Sequence, residues 1–121
     1  MDENLKSVNL FLIKAKQLIS QNRCNLCSDR SKNKQFMEKY GLTRKDCFRI
    51  ISNLRSNHMI AGPEEETNPN YPPGTVFIFI KREKIDDQMV AAYIKLKILD
   101  GREELVIISC HESSKEDQGY G

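Results

Sequence analysis

Apolar residues at Leu5, Val8, Leu12, Ala15 and Ile19 recur at the i, i+3, i+4 spacing of a helix, with Lys6, Lys14 and Lys16 off that stripe. The pattern predicts an amphipathic first helix that ends near Asn22 and Arg23. Residues 23–27 then form a short connector with room for one strand. A second helix is predicted over Ser31–Tyr40, with Gly41 placed to close it in the left-handed conformation. Thr43 and Asp46 stand three apart, like the members of a capping box. The helix they open carries Cys47, Ile50, Ile51 and Leu54 at helical spacing and is expected to end near Asn57. The first half is helical.

Residues 62–74 hold all four prolines and no aliphatic side chain, which predicts a 13-residue loop. Its length makes a functional role worth testing. Three strand-like runs follow, Thr75–Lys81, Met89–Leu99 and Glu104–Cys110. In the second, Ile94, Leu96 and Ile98 alternate with Tyr93, Lys95 and Lys97, as a half-buried strand should. Asp100-Gly101 marks the hairpin to the third run. A two-residue turn would mix the two faces. A three- or five-residue loop instead sets Val106, Ile108 and Cys110 on the apolar side, and with five residues Tyr93 pairs with His111 and Lys95 with Ser109. The polar face then holds Tyr93, Lys95, Lys97, Ser109 and His111, with Ile107 among them.

These elements predict an α+β fold, with N-terminal helices packed on a small C-terminal antiparallel sheet. At 121 residues the chain suits a single domain, expected over 1–112, with residues 113–121 as a disordered tail. No apolar run approaches the length of a membrane span. The N-terminus lacks the features of a signal peptide, so a cytoplasmic protein with no membrane partner is expected. The net charge of +2 conceals an asymmetry: residues 1–61 carry 12 Lys and Arg against 5 Asp and Glu, whereas residues 62–121 carry 7 against 12. A basic half can attract nucleic acid or an acidic protein, and it can equally be a set of solvated helix faces.

No Gly-rich phosphate loop, Ser nucleophile elbow or paired Cys/His metal array is present. Cys24 and Cys27 have zinc-ligand spacing but supply half a site, and the remaining cysteines, Cys47 and Cys110, fall in a predicted helix and strand. Unpaired reduced thiols are expected, with no metal and no cofactor. The polar sheet face offers different chemistry. Cleavage of RNA by its own 2′-OH needs a base for that proton, a cation against the phosphorane and an acid for the leaving 5′-oxygen. A histidine titrates near neutrality and can serve as acid or base, which singles out His111. Tyr93 can orient phosphate, donate a proton or stack on a base, and Lys95 and Lys97 can supply the cation. Half-solvated strands also turn Lys and Tyr outward for solubility alone, so spacing leaves both readings open.

Several stretches together carry a resemblance: Phe36-Met-Glu-Lys-Tyr-Gly-Leu-Thr43, Gly62-Pro-Glu-Glu, Pro73-Gly-Thr-Val-Phe77, Tyr93-Ile-Lys-Leu-Lys-Ile98 and Val106-Ile-Ile-Ser-Cys-His-Glu112. In this order, over roughly residues 5–112, the chain resembles the MqsR family of type II toxin–antitoxin ribonucleases, notably its Gram-positive forms. The resemblance implies a RelE-like fold and a metal-independent mRNA endoribonuclease held inactive by a cognate antitoxin. It implies Tyr93 and His111 as active-site residues, His111 standing where the family's best-known member has lysine. Lys95 is expected to assist them, and Lys81, Arg82 and Lys97 to contact RNA. Two positions depart from the family pattern: Ala61 where a lysine is common and Ile78 near a functional glutamine, for which Lys81 is a nearby substitute. Those departures also fit a non-catalytic module that binds nucleic acid or a protein.

Overall fold

The computed structural model describes residues 3–114. Helix α1 (Glu3–Ser20) leads into a three-residue strand β1 (Cys24–Leu26), followed by α2 (Ser31–Tyr40) and α3 (Arg44–Ser52). A 3-10 turn (Ser56–His58) precedes four strands: β2 (Met59–Glu65), β3 (Gly74–Ile85), β4 (Gln88–Leu99) and β5 (Leu105–Glu112). They form one five-stranded sheet in the order β1-β5-β4-β3-β2, with β1 parallel to β5 and the other pairs antiparallel. The α+β arrangement is as expected, and the three predicted strands form the centre of the sheet.

Local chemistry explains the helix ends. Gly41 closes α2 at φ 63°, and its neighbour Leu42 donates its N–H to Met37 O. Thr43 opens α3 with a reciprocal box: its hydroxyl accepts from Asp46 N–H, and Asp46 accepts from Thr43 N–H at 2.8 Å. The α3 helix stops at Ser52 rather than near Asn57, and His58 accepts the Arg55 N–H through Nδ1 at 2.9 Å. Burial pushes the His58 imidazole below its ordinary pKa, with the nearby Lys81 and Arg55 charges adding to it.

One face of the sheet makes the core. Phe77, Phe79, Ile94, Leu96, Leu105 and Ile107 pack against α1 and α3. The buried stripe of α1 comprises Val8, Phe11, Leu12, Ala15 and Leu18, so Phe11 and Leu18 join it while Leu5 lies at its exposed end. The Phe11 and Phe77 rings meet at 4.6 Å between centroids.

One strand, β2, comes partly from a segment expected to be a loop. The stretch Gly62–Glu65 continues β2, with register shifts on either side of Ala61 and a cis Gly62-Pro63 bond. Gly62 takes φ 121°, and a Cβ there would lie 2.7 Å from the Phe77 ring, so only glycine fits this close approach. Strands β3 and β4 pair without interruption to Ile85 and Gln88 around a two-residue turn. Its residues, Asp86 and Asp87, have φ of 49° and 62°, as a primed hairpin turn demands. Residue 113 is also ordered, its N–H bonded to Ala91 O at 2.7 Å, while residues 115–121 of the predicted tail lie outside the described residues.

Candidate functional site on the outer sheet face

The sheet face turned away from α1 and α3 is built in rows. Across β3, β4 and β5, one row is Ile80, Tyr93 and His111. The next, extended into β2, is Ala61, Ile78, Lys95 and Ser109. Both predicted pairs, Tyr93 with His111 and Lys95 with Ser109, are present. They arise by a different route from the one expected. Leu99 N–H bonds Glu104 O, which leaves a four-residue loop, 100–103, instead of one of three or five. A bulge in β5 at Ile108 then supplies the missing residue of register. Below that bulge the faces are reversed from expectation. Ile107 enters the core fully buried, and Val106 and Ile108 turn to the outer face.

Asn33 holds the bulge in place. This α2 side chain, 1% exposed, donates to the carbonyls of Cys27 and Ile108 and accepts the Cys110 N–H, each at 2.9 Å. Strand β1 ends beside Ile107, so the side chain provides the edge partner that β1 no longer offers. At the end of β5, Lys39 and Tyr40 bond the Glu112 carboxylate at 2.9 and 3.1 Å. His111 is therefore fixed between two anchored neighbours. Asn33 was not singled out from sequence, although it precedes Phe36 by three residues and so shares that buried helix stripe.

Tyr93 and His111 stack with centroids 5.1 Å apart and planes inclined by 17°. The His111 ring is largely buried and borders a shallow depression of about 290 Å³ with Lys32, Gln35 and Lys39. Its Nδ1 lies 3.0 Å from Glu112 O. A carbonyl only accepts, so Nδ1 carries the proton in this geometry and Nε2 is left as the nitrogen for proton exchange.

The predicted cations divide. Lys95 lies one row from the Tyr93–His111 pair, and exposed Arg82 lies on the same face beyond Ile80. Neither is in an ion pair among the described residues. Lys81 is not with them. Side chains alternate along β3, and Lys81 pairs with buried Ala92 on the helix side, where it bonds Glu83, itself paired to Arg49 of α3 at 3.7 Å. It therefore cannot replace a residue lost at Ile78, which faces the other way. Lys97 has the right face but is 3% exposed and held by Glu66 at 2.7 Å, so it is a structural cation rather than an RNA contact. Cys24 packs against the core while Cys27 borders the outer face, and burial raises both thiol pKa values.

The Lys97–Glu66 pair ties the 66–73 segment to the sheet. Its hydrogen bond from Lys97, and then that from Asn68 N–H, hold the Glu66 carboxyl below its ordinary pKa. A depressed carboxylate contributes stability above the unfolded-state value and loses it as pH falls through the folded one. The contribution should be complete at neutral pH and fade below about pH 4.3, the ordinary glutamate value. Urea unfolding at neutral and acid pH checks this: the native chain should lose more stability on acidification than Glu66→Gln, and equal losses would refute it.

Comparison of the chain with models of protein families, with curated proteins and with solved structures finds no match. Among the described residues, no helix is long and apolar enough to cross a membrane.

Proposed function

We propose that the protein is a metal-independent endoribonuclease toxin of the MqsR type, acting on mRNA in the cytoplasm and restrained by a cognate antitoxin. The observation that carries this reading is convergence. Ala61, Ile78, Tyr93 and His111, the four positions that the resemblance marks along the chain, fall in two adjacent rows of one sheet face. These residues are scattered over 51 positions of sequence, and their meeting on one face supports the reading.

In the proposed reaction the 2′-oxygen bonds to phosphorus and the P–O5′ bond breaks. His111 takes the 2′-OH proton at Nε2, Tyr93 gives its hydroxyl proton to the leaving O5′, and Lys95 offsets the phosphorane charge. The proton on His111 then returns to the Tyr93 oxygen through solvent. Arg82 contacts the RNA backbone further along the face. Proton transfer and charge compensation are thus assigned wholly to side chains. The products are a 2′,3′-cyclic phosphate and a 5′-hydroxyl. Incubating the purified protein with mRNA in EDTA should give those ends; intact RNA, or 3′-hydroxyl and 5′-phosphate ends, would refute the mechanism.

A second reading, a binding module without catalysis, is favoured by the apolar Ala61–Ile78 pair beside Lys95. Steeply salt-dependent RNA binding with no cleavage would select it.

A further inference from the structure

The bulge at Ile108 has a second consequence, on the outer face below the Tyr93–His111 row. Val106 and Ile108, turned out of the core, and Leu99 form an apolar floor there. The 66–73 segment arches over it and leaves a cleft of about 250 Å³. This strap is tied in place: Glu66 N–H bonds Gly74 O at 3.1 Å, Tyr71 N–H bonds Asn68 O at 3.1 Å, and Asp100 N–H bonds Pro73 O at 3.0 Å. Its Tyr71 side chain lines the cleft while remaining 60% exposed.

Charge decides what the cleft suits. Glu66 and Lys97 neutralise one another, which leaves Arg30 and Lys95 as cations lining it. Neither is in an ion pair among the described residues. An apolar floor, a presented aromatic ring and uncompensated positive charge are the elements of a site for one base of a single strand. Lys95 belongs both to this cleft and to the row beside Tyr93 and His111. Two residues along a strand span roughly 7 Å, so the cleft and the reacting phosphate are neighbours on one path.

We propose that this cleft binds the nucleobase next to the scissile phosphate, stacked on Tyr71, with Arg30 and Lys95 on the flanking phosphates. The proposal rests on the ribonuclease reading and adds a substrate subsite to it. Tyr71 is a binding residue here, and Lys95 links the base site to the chemistry.

The test measures binding of 2′-O-methyl oligonucleotides that together present every dinucleotide step, by fluorescence anisotropy, to the full chain, Tyr71→Ala and Tyr71→Phe. These probes lack the attacking hydroxyl, so binding is read apart from cleavage. Tyr71→Ala should bind about 5- to 150-fold more weakly, the range for losing one stacked base, and Tyr71→Phe should retain affinity. One abasic position should weaken binding to the native chain by the same factor and leave Tyr71→Ala no weaker. Native affinity in Tyr71→Ala, or equal abasic losses in both proteins, would overturn the base site. Cleavage of ordinary RNA separates the two readings: coupled binding without cleavage keeps the base site and removes the nuclease. Cleavage without Tyr71 coupling does the reverse, and no binding of any probe overturns both.

Discussion

Replacing His111 with alanine is expected to slow RNA cleavage by about 100- to 10,000-fold, the usual contribution of a positioned acid or base. The Nδ1 contact to Glu112 O fixes which nitrogen faces the reaction, so the loss should appear in the chemical step and not in RNA affinity. Tyr93→Phe keeps the ring stacked on His111 and removes only the hydroxyl. Its expected cost is about 100- to 1,000-fold, as for one lost donor to a developing charge. Single-turnover rates check both. A stacked pair serving only to stabilise the strand would instead lower the melting temperature and leave those rates unchanged. Lys81→Ala provides a contrast, since its side chain lies on the helix side and pairs with Glu83.

Asn33→Ala is expected to give the largest loss of stability. The Cys110 N–H and the Ile108 carbonyl lose this partner together, while the Cys27 carbonyl keeps the Arg30 N–H. At about 1 kcal/mol or more for each of these two orphaned groups, the loss is about 2 kcal/mol. That corresponds to a fall of roughly 6–12 °C in melting temperature for a domain of this size. Asn33→Asp should fare no better, because its carboxylate meets two carbonyl oxygens where the amide donated. Activity should fall with either variant, since the bulge sets the register that brings His111 opposite Tyr93. A melting temperature within about 3 °C of the native value would contradict this role.

What could be read from the sequence follows from how local each signal is. The alternation in 93–98 sets the faces of β4, side-chain parity puts Tyr93 and His111 on one face, and the longer odd loop makes them partners. The means of achieving that pairing was hidden. A four-residue loop and a bulge give the same offset as a five-residue loop at residue 111, and they differ only below residue 108. The group that stabilises the bulge sits 75 residues earlier, on a helix whose buried stripe reads as ordinary packing. Strand β2 was obscured because Pro63 removes a ladder donor, so the segment looks like a loop until its irregular pairing with β3 is seen. Lys81 was legible only through alternation within β3 itself, which sets it, three residues from Ile78, on the opposite face. The candidate site was legible in its pair of rings and not in the cations around them.

The proposed function stands on 2′-OH chemistry carried out by His111 on the outer sheet face. The direct measurement is single-turnover cleavage, in EDTA, of an RNA and of the same RNA with one 2′-deoxy nucleotide at the cleaved position, by the native chain and His111→Ala. The expected result is cleavage of the first RNA to a 2′,3′-cyclic phosphate, none at the deoxy position, and a rate about 100-fold or more lower in His111→Ala. Cleavage at the deoxy position, or equal rates for the two proteins, would contradict it.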